Sequence, residues 1–185
     1  MVTIAVAAIL LAFAVPSLTG FVQTNKMAAA TNQFVTTLNY ARAQAVSLRS
    51  TVVVCKTSNP FPSTPVCDTS GTASGYETGW VLFADPGAGA TPQTSDASAS
   101  VIRVLKPDAA NGLTIRGPSA GSTFYRLAFT PQGMASTATA GASIVLCDQR
   151  QWKSSGQFAR VVTISQSGRI ASAAGNASSA TTCTP

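Results

Sequence analysis

The first two dozen residues of the chain are almost wholly apolar. From Val2 to Val15 only Thr3 is polar, and residues 16–22 extend the stretch without a charged side chain. About 20 residues of α-helix cross the hydrocarbon core of a membrane. A cleaved secretory signal would carry a basic segment at its start, which these residues lack. The pattern therefore predicts a retained membrane-crossing helix at residues 1–24.

The period of the apolar residues changes after this stretch. They recur at three- and four-residue steps, which is the pattern of an amphipathic helix. The apolar positions are Met27, Ala30, Phe34, Leu38, Ala41, Ala45 and Leu48. The polar positions on the other faces are Asn25, Thr36, Asn39, Arg42 and Arg49. Residues 25–50 are therefore predicted to continue the first helix outward and to pack their apolar stripe on a sheet.

After Ser50 the chain changes to short runs rich in β-branched and aromatic residues, separated by turn residues. The predicted strands are 51–55, 80–84, 101–105, 113–116, 124–130, 143–147, 160–165 and 169–172. The predicted turns lie at Asp85-Pro86-Gly87, Asn111-Gly112, Pro131-Gln132-Gly133 and Ser167-Gly168. The fold class is α+β: a long N-terminal helix packed on an antiparallel, sandwich-like β-rich head at residues 51–185.

Composition and charge add limits to this picture. The 185 residues leave enough chain after the apolar helix for one compact domain. Twelve Lys and Arg against six Asp and Glu give a net charge of +6. These basic residues are spread from Lys26 to Arg169, whereas a nucleic-acid site requires a patch. Charge alone therefore does not identify a partner.

Four cysteines point to an oxidising compartment. Cys55, Cys67, Cys147 and Cys183 contain no CxxC motif, and the chain has no His to complete a mixed zinc site. Two disulfides are the simpler interpretation. Three pairings are possible, and we favour Cys55 with Cys67 and Cys147 with Cys183, because each pair ties a strand to a loop or tail. Each closure would contribute roughly 3 to 4 kcal/mol in the chain-entropy model.

Catalytic chemistry has little support in the sequence. General acid and base catalysis needs positioned titratable groups, and without His the candidates are Glu77 and five Asp. We expect these carboxylates to be turn and surface residues. No phosphate loop or dinucleotide fingerprint occurs. The chain is therefore predicted to be neither an enzyme nor a cofactor-binding protein.

Four segments, in order along the chain, form a pattern that resembles a known family. They are Ala41-Arg42-Ala43-Gln44-Ala45 with Arg49 and Val52-Val53-Val54-Cys55, the aromatic strand at 79–85, Phe-x-x-x-Gly at 129–133, and the hairpin at 160–165 followed by Gly168-Arg169. Behind an apolar helix they resemble the GspH/FimT family of type IV minor pilins and type II secretion pseudopilins. Gln44 stands where the family commonly has an acidic residue. The family's processing site, a Gly followed by an aromatic residue and a nearby Glu, has no counterpart in residues 1–24.

The resemblance implies a pilin fold and a minor pilin that acts in pilus assembly or tip priming. The implied partners are other pilins or pseudopilins, contacted through the N-terminal helix in the filament core. The implied location is the bacterial inner membrane, crossed once, with the head in the periplasm before assembly into a pilus or pseudopilus. The alternative is a minor pseudopilin of a type II secretion system that acts in protein export.

The resemblance also implies a DNA-binding role in natural transformation, because some members bind DNA through a Gly-Arg-x-Arg turn. Here the stretch is Gly168-Arg169-Ile170-Ala171, so the second Arg is missing. Arg169 is the first candidate DNA contact. The other candidates are Arg160, Arg150, Lys153 and Arg126. The alternative is that these residues are solvated charges on strand faces.

Overall fold

The computed structural model describes residues 2–60, 65–68, 75–85, 100–107, 113–117, 126–137, 139–148, 150 and 159–175. In the first part of the helix it describes the side chains of Thr3 and of residues from Leu18 onward. The predicted turns at 86–87 and 111–112 lie outside these residues.

The two predicted helical parts form one continuous helix, α1 (Val2–Leu48). It ends where Arg49 adopts a left-handed conformation with φ of 49° and the Ser50 N–H donates to the Ala45 carbonyl at 3.3 Å. A left-handed residue directly after the last helical turn is a common way to end a helix. No helical stretch within the described residues is long and apolar enough to be assigned as membrane-crossing, so the span at 1–24 stays a prediction.

The apolar stripe of α1 packs on the head as predicted, up to Ala45. Met27, Ala30, Phe34, Leu38, Ala41 and Ala45 are all buried. The prediction for Leu48 is wrong, because this side chain is 48% exposed. Leu48 is the last residue of the helix, and the chain turns away there to enter the first strand at Thr51. The stripe therefore ends one turn earlier than its period suggested.

The eight predicted strands are all present, with small differences at their ends. They are β1 (Thr51–Lys56), β2 (Trp80–Asp85), β3 (Ser100–Leu105), β4 (Thr114–Arg116), β5 (Arg126–Phe129), β6 (Ser143–Cys147), β7 (Ala159–Ile164) and β8 (Ile170–Gly175). They form two antiparallel sheets with the orders β3-β2-β1-β5 and β4-β6-β7-β8. The predicted class, a long helix on an antiparallel β-rich head, is confirmed.

The core lies between α1 and the two sheets. Phe34 contacts the rings of Tyr76 and Trp80 edge-on, with centroid separations of 5.4 Å in both pairs. Strands β1 and β2 are also buried on the side away from α1, where Val53, Cys55, Val81 and Phe83 form a second cluster. Burial on both sides explains why the two strands are continuous apolar runs without polar alternation.

Two of the predicted turns are confirmed and lie at one end of the head. Gly133 and Gly168 both have a φ of 75°, in the left-handed region that favours glycine. Each turn is closed by a backbone hydrogen bond of the glycine, from Gly133 N–H to Thr130 O at 2.8 Å and from Gly168 N–H to Ser165 O at 2.9 Å. We call these the β5 turn (131–133) and the β7–β8 turn (166–168).

Candidate functional site

The first candidate surface is on α1, before the helix reaches the head. Leu18, Phe21 and Val22 are 62%, 64% and 43% exposed. Residues spaced by three and four positions lie on one side of a helix. These three side chains therefore form one apolar strip, which we call the exposed helix face. Met27 is the first buried position of the stripe that contacts the head.

Arg150 holds α1 near the exposed helix face. Its Nε donates to Asp148 Oδ2 at 2.8 Å, and its Nη1 lies 3.3 Å from the Gly20 carbonyl and 3.2 Å from Thr24 Oγ1. The Arg150 backbone N–H also donates to Asp148 Oδ1 at 2.9 Å. The sequence placed Arg150 among the DNA contacts. The structure places its guanidinium between the head and the helix, where it fixes the point at which α1 leaves the head.

A second arginine joins α1 to the other end of the head. Arg42 Nε donates to the Gly133 carbonyl at 2.8 Å, and its Nη2 donates to the Ser167 carbonyl at 3.1 Å. The two carbonyls belong to the β5 turn and the β7–β8 turn. We call this end of the head, formed by the two turns with Arg42 and Arg169, the turn end.

Arg169 is the exposed cation of the turn end. Its backbone is fixed by two hydrogen bonds with Ser165, from Ser165 N–H to Arg169 O at 2.9 Å and from Arg169 N–H to Ser165 Oγ at 3.1 Å. Arg49, also exposed, lies one residue beyond α1 and seven positions after Arg42.

The other basic candidates within the described residues do not lie beside Arg169. Arg160 lies on β7 opposite Leu146 and Ala174, on the side of the strand that carries the buried Val162. It is five positions from Ser165, roughly 17 Å along the strand. Arg126 is on the other sheet, opposite Cys55, and Lys153 lies outside the described residues. The described candidates therefore do not form one basic patch.

Three of the described carboxylates, those of Asp68, Glu77 and Asp148, form ion pairs. Lys56 Nζ lies 3.7 Å from Asp68, and Arg116 lies 2.9 Å from Glu77, which also accepts hydrogen bonds from the backbone of Gly75 and Ile115. Asp148 is bound by Arg150. The expectation of surface carboxylates is wrong for these three, which are buried or half-buried. Within the described part of the chain, no three His, Cys, Asp or Glu side chains are placed to hold a metal ion.

The predicted disulfide between Cys55 and Cys67 is present, with a Cα–Cα distance of 5.5 Å. The backbone beside it is paired as well, because the Asp68 N–H donates to the Lys56 carbonyl at 2.9 Å. The disulfide therefore ties the following loop to β1. Cys147 is also disulfide-bonded, and its predicted partner Cys183 lies outside the described residues.

Two contacts of the site were not assigned from the sequence. In the sequence Arg42 is a polar position of the helix and part of a family segment. Its hydrogen bonds to two turns far along the chain have no local sequence signal. Asp148 and Arg150 do carry a signal, since an acidic residue two positions before an arginine can pair with it in a turn. Because the charge of Arg150 is paired with Asp148 within the protein, it is not available to bind DNA.

A long helix packed on two antiparallel sheets defines the class of pilin-like proteins, and the family comparison agrees with this fold. The family model described as "Type II transport protein GspH" matches residues 30–168. The chain therefore belongs to the GspH family of type II pseudopilins and type IV minor pilins. Members of this family are structural and non-enzymatic, assemble with other pilins, and are located at the membrane or in the pilus.

Two solved structures support the same fold. Two crystal structures of the type IV minor pilin FimU from Pseudomonas aeruginosa are similar, with TM-scores of 0.55 and 0.50 at 21% and 20% identity. They cover 82% and 78% of this chain and 90% of each FimU chain. The solution structure of E. coli GspH has a TM-score of 0.49 at 11% identity and covers 84% of this chain and 93% of its own. No curated protein matches the sequence.

Proposed function

We propose that the protein is a minor pilin of a type IV pilus that acts in pilus assembly or tip priming. The exposed helix face carries this proposal. Leu18, Phe21 and Val22 present apolar side chains that the head does not cover. Burial of apolar surface is the main favourable term in most protein association. A helix bundle with the helices of neighbouring pilins would bury this face.

The location and the cysteines fit this role. A helix anchored in the bacterial inner membrane would place the head in the periplasm, where disulfides form and persist. The Cys55–Cys67 bond agrees with such a compartment. The similar FimU is described as a type IV minor pilin.

A clean deletion tests the proposal. We expect the deletion strain to have few or short pili, and we expect the unchanged gene to restore them. A gene with Phe21→Asp would restore them poorly, because the charge lies on the exposed helix face. The matched variant Thr163→Asp changes an exposed residue of β7 on the head and should restore piliation. Normal piliation in the deletion strain would refute a role in pilus assembly.

The alternative role is that of a minor pseudopilin in type II secretion, which the family description favours. The same deletion strain separates the two roles. Loss of exported proteins from the medium with normal pili would select the secretion system. Loss of pili with normal export would select the pilus.

A second proposed activity is DNA capture during natural transformation. It is supported by the exposed Arg169 directly after the β7–β8 turn, with Arg42 bound to that turn. We expect weak binding to duplex DNA with no sequence preference and a steep dependence on salt. Arg169→Ala should lower the slope of log affinity against log salt by about 1, whereas Arg103→Ala, at an exposed position on β3, should not. Absence of binding at low salt would refute this activity.

A further inference from the structure

We propose that Arg42 is a positioning residue that locks the turn end of the head to α1, so that this end moves with the helix as one body. The inference rests on the proposed function only where it concerns the filament. Arg42 does not touch a partner in this account. It determines how the turn end, with its exposed Arg169 and Met134, is presented relative to the helix.

The two carbonyls that accept hydrogen bonds from Arg42 belong to turns of different sheets. Gly133 follows β5, which belongs to the sheet β3-β2-β1-β5, whereas Ser167 joins β7 to β8 in the other sheet. One guanidinium on the helix therefore binds both sheets. Residue separations of 91 and 125 positions along the chain make these long-range contacts. Strand pairing alone does not join these two turns.

The β5 turn and the β7–β8 turn are also in close contact with each other. A Cβ placed on Gly168 would lie 2.1 Å from the Gly133 carbonyl oxygen and 3.0 Å from Arg42 Nε. The Ala135 N–H donates to the Gln166 carbonyl at 3.1 Å, which adds a direct bond between the two loops. The glycines thus allow the turns to stack closely enough for one arginine to reach both.

The shape of the arginine side chain suits this double contact. A guanidinium is planar and carries N–H groups that point in different directions, so it can donate to two separate carbonyls at once. A lysine ammonium is a compact charge on a flexible stem and does not reproduce this fixed geometry. The arrangement therefore requires Arg42 itself and not positive charge alone.

Met134 and Val46 lie beside the contacts of Arg42 with the β5 turn. Both side chains are about half exposed, and a Cβ on Gly133 would lie 3.1 Å from Val46 Cγ2. The helix and the β5 turn therefore contact each other beside the guanidinium. A partner that binds the turn end would meet a surface whose orientation to the filament axis is fixed.

Hydrogen exchange of the full-length protein in detergent tests the lock. The reporting amides are those of Gly133, Ala135 and Gly168. Arg42→Ala should raise their exchange rates roughly tenfold, because the turns open locally without global unfolding. The β1 amides should be unchanged. Arg49→Ala, at the exposed arginine directly after α1, is the matched control and should change none of these rates.

Arg42→Lys tests the geometry and also covers the case in which the alanine variant folds poorly. In this variant the amides of Ala135 and Gly168 should still exchange faster than in the unchanged protein. If the exchange rates in Arg42→Lys equal those of the unchanged protein, the two-carbonyl lock is overturned. Unchanged exchange rates in Arg42→Ala would overturn it as well. Equal acceleration in the turns and in β1 would overturn it too, since Arg42 would then stabilise the whole fold. None of these outcomes depends on piliation, so failure of the lock is distinct from failure of the proposed function.

Discussion

Gly168 lies directly against the Gly133 carbonyl, so closely that a Cβ on Gly168 would be 2.1 Å from the carbonyl oxygen. Its φ of 75° adds a conformational cost for any other residue. Gly168→Ala should therefore destabilise the protein by roughly 3 kcal/mol or more, through a steric clash added to backbone strain. Chemical denaturation of the purified protein measures this loss.

Gly141→Ala is the control for the steric part of that loss. Gly141 has a similar φ of 78°, but no atom lies within 4 Å of an added Cβ. Its substitution should cost only the backbone term, about 1 to 2 kcal/mol. Equal losses for the two variants would show that the turns do not press on each other.

The Asp148–Arg150 pair should show strong coupling. Arg150→Ala leaves a largely buried carboxylate without its cation and should cost roughly 2 kcal/mol, after allowance for partial exposure. Asp148→Ala together with Arg150→Ala should cost less than the sum of the two single changes, with a coupling energy near 1 kcal/mol or above. Additive losses in this double-mutant cycle would mean that the pair contributes nothing as a unit.

The Cys55–Cys67 disulfide should contribute about 3 kcal/mol by the chain-entropy model, since it closes a loop of 12 residues. Replacing both cysteines by serine should lower the free energy of unfolding by this amount. Denaturation curves with and without a reductant provide the check. A reductant should lower the stability of the double serine variant further, because it also opens the disulfide of Cys147. An unchanged denaturation midpoint in the double serine variant without reductant would contradict the estimate.

Tyr76 should make the fold sensitive to alkali. Burial raises the pKa of the Tyr76 phenol well above its ordinary value of 10.0. The unfolded chain then releases this proton near pH 10, while the folded protein keeps it. The Tyr76 contribution is therefore complete below about pH 10 and falls as the pH rises further. Measurement of the free energy of unfolding against pH should show this loss. The loss should be smaller in Tyr76→Phe and unchanged in Tyr40→Phe, which alters an exposed tyrosine.

Local patterns in the sequence predicted much of the fold. The three-and-four spacing from Met27 to Ala45 identifies the buried side of α1, and β-branched runs between turn residues identify the strands. The Cys55–Cys67 pair was favoured because it ties a strand to the following loop. These features depend on neighbours that are close along the chain.

The division into two sheets could not be predicted in the same way. Strand β5 pairs with β1 and not with β4, and this choice depends on contacts between distant segments. The roles of the arginines were hidden for the same reason. Arg150 and Arg42 look like surface charges in sequence, but each binds a backbone carbonyl on a distant segment.

The central claim is that the exposed helix face contacts the helices of neighbouring pilins. Photo-crosslinking in living cells tests it most directly, with a benzophenone amino acid in place of Phe21 and, as a control, in place of Thr163 on the head. We expect adducts between position 21 and other pilin or pseudopilin subunits, and none of these adducts from position 163. A subunit that is present at normal levels but gives no pilin adduct from position 21 would contradict the claim.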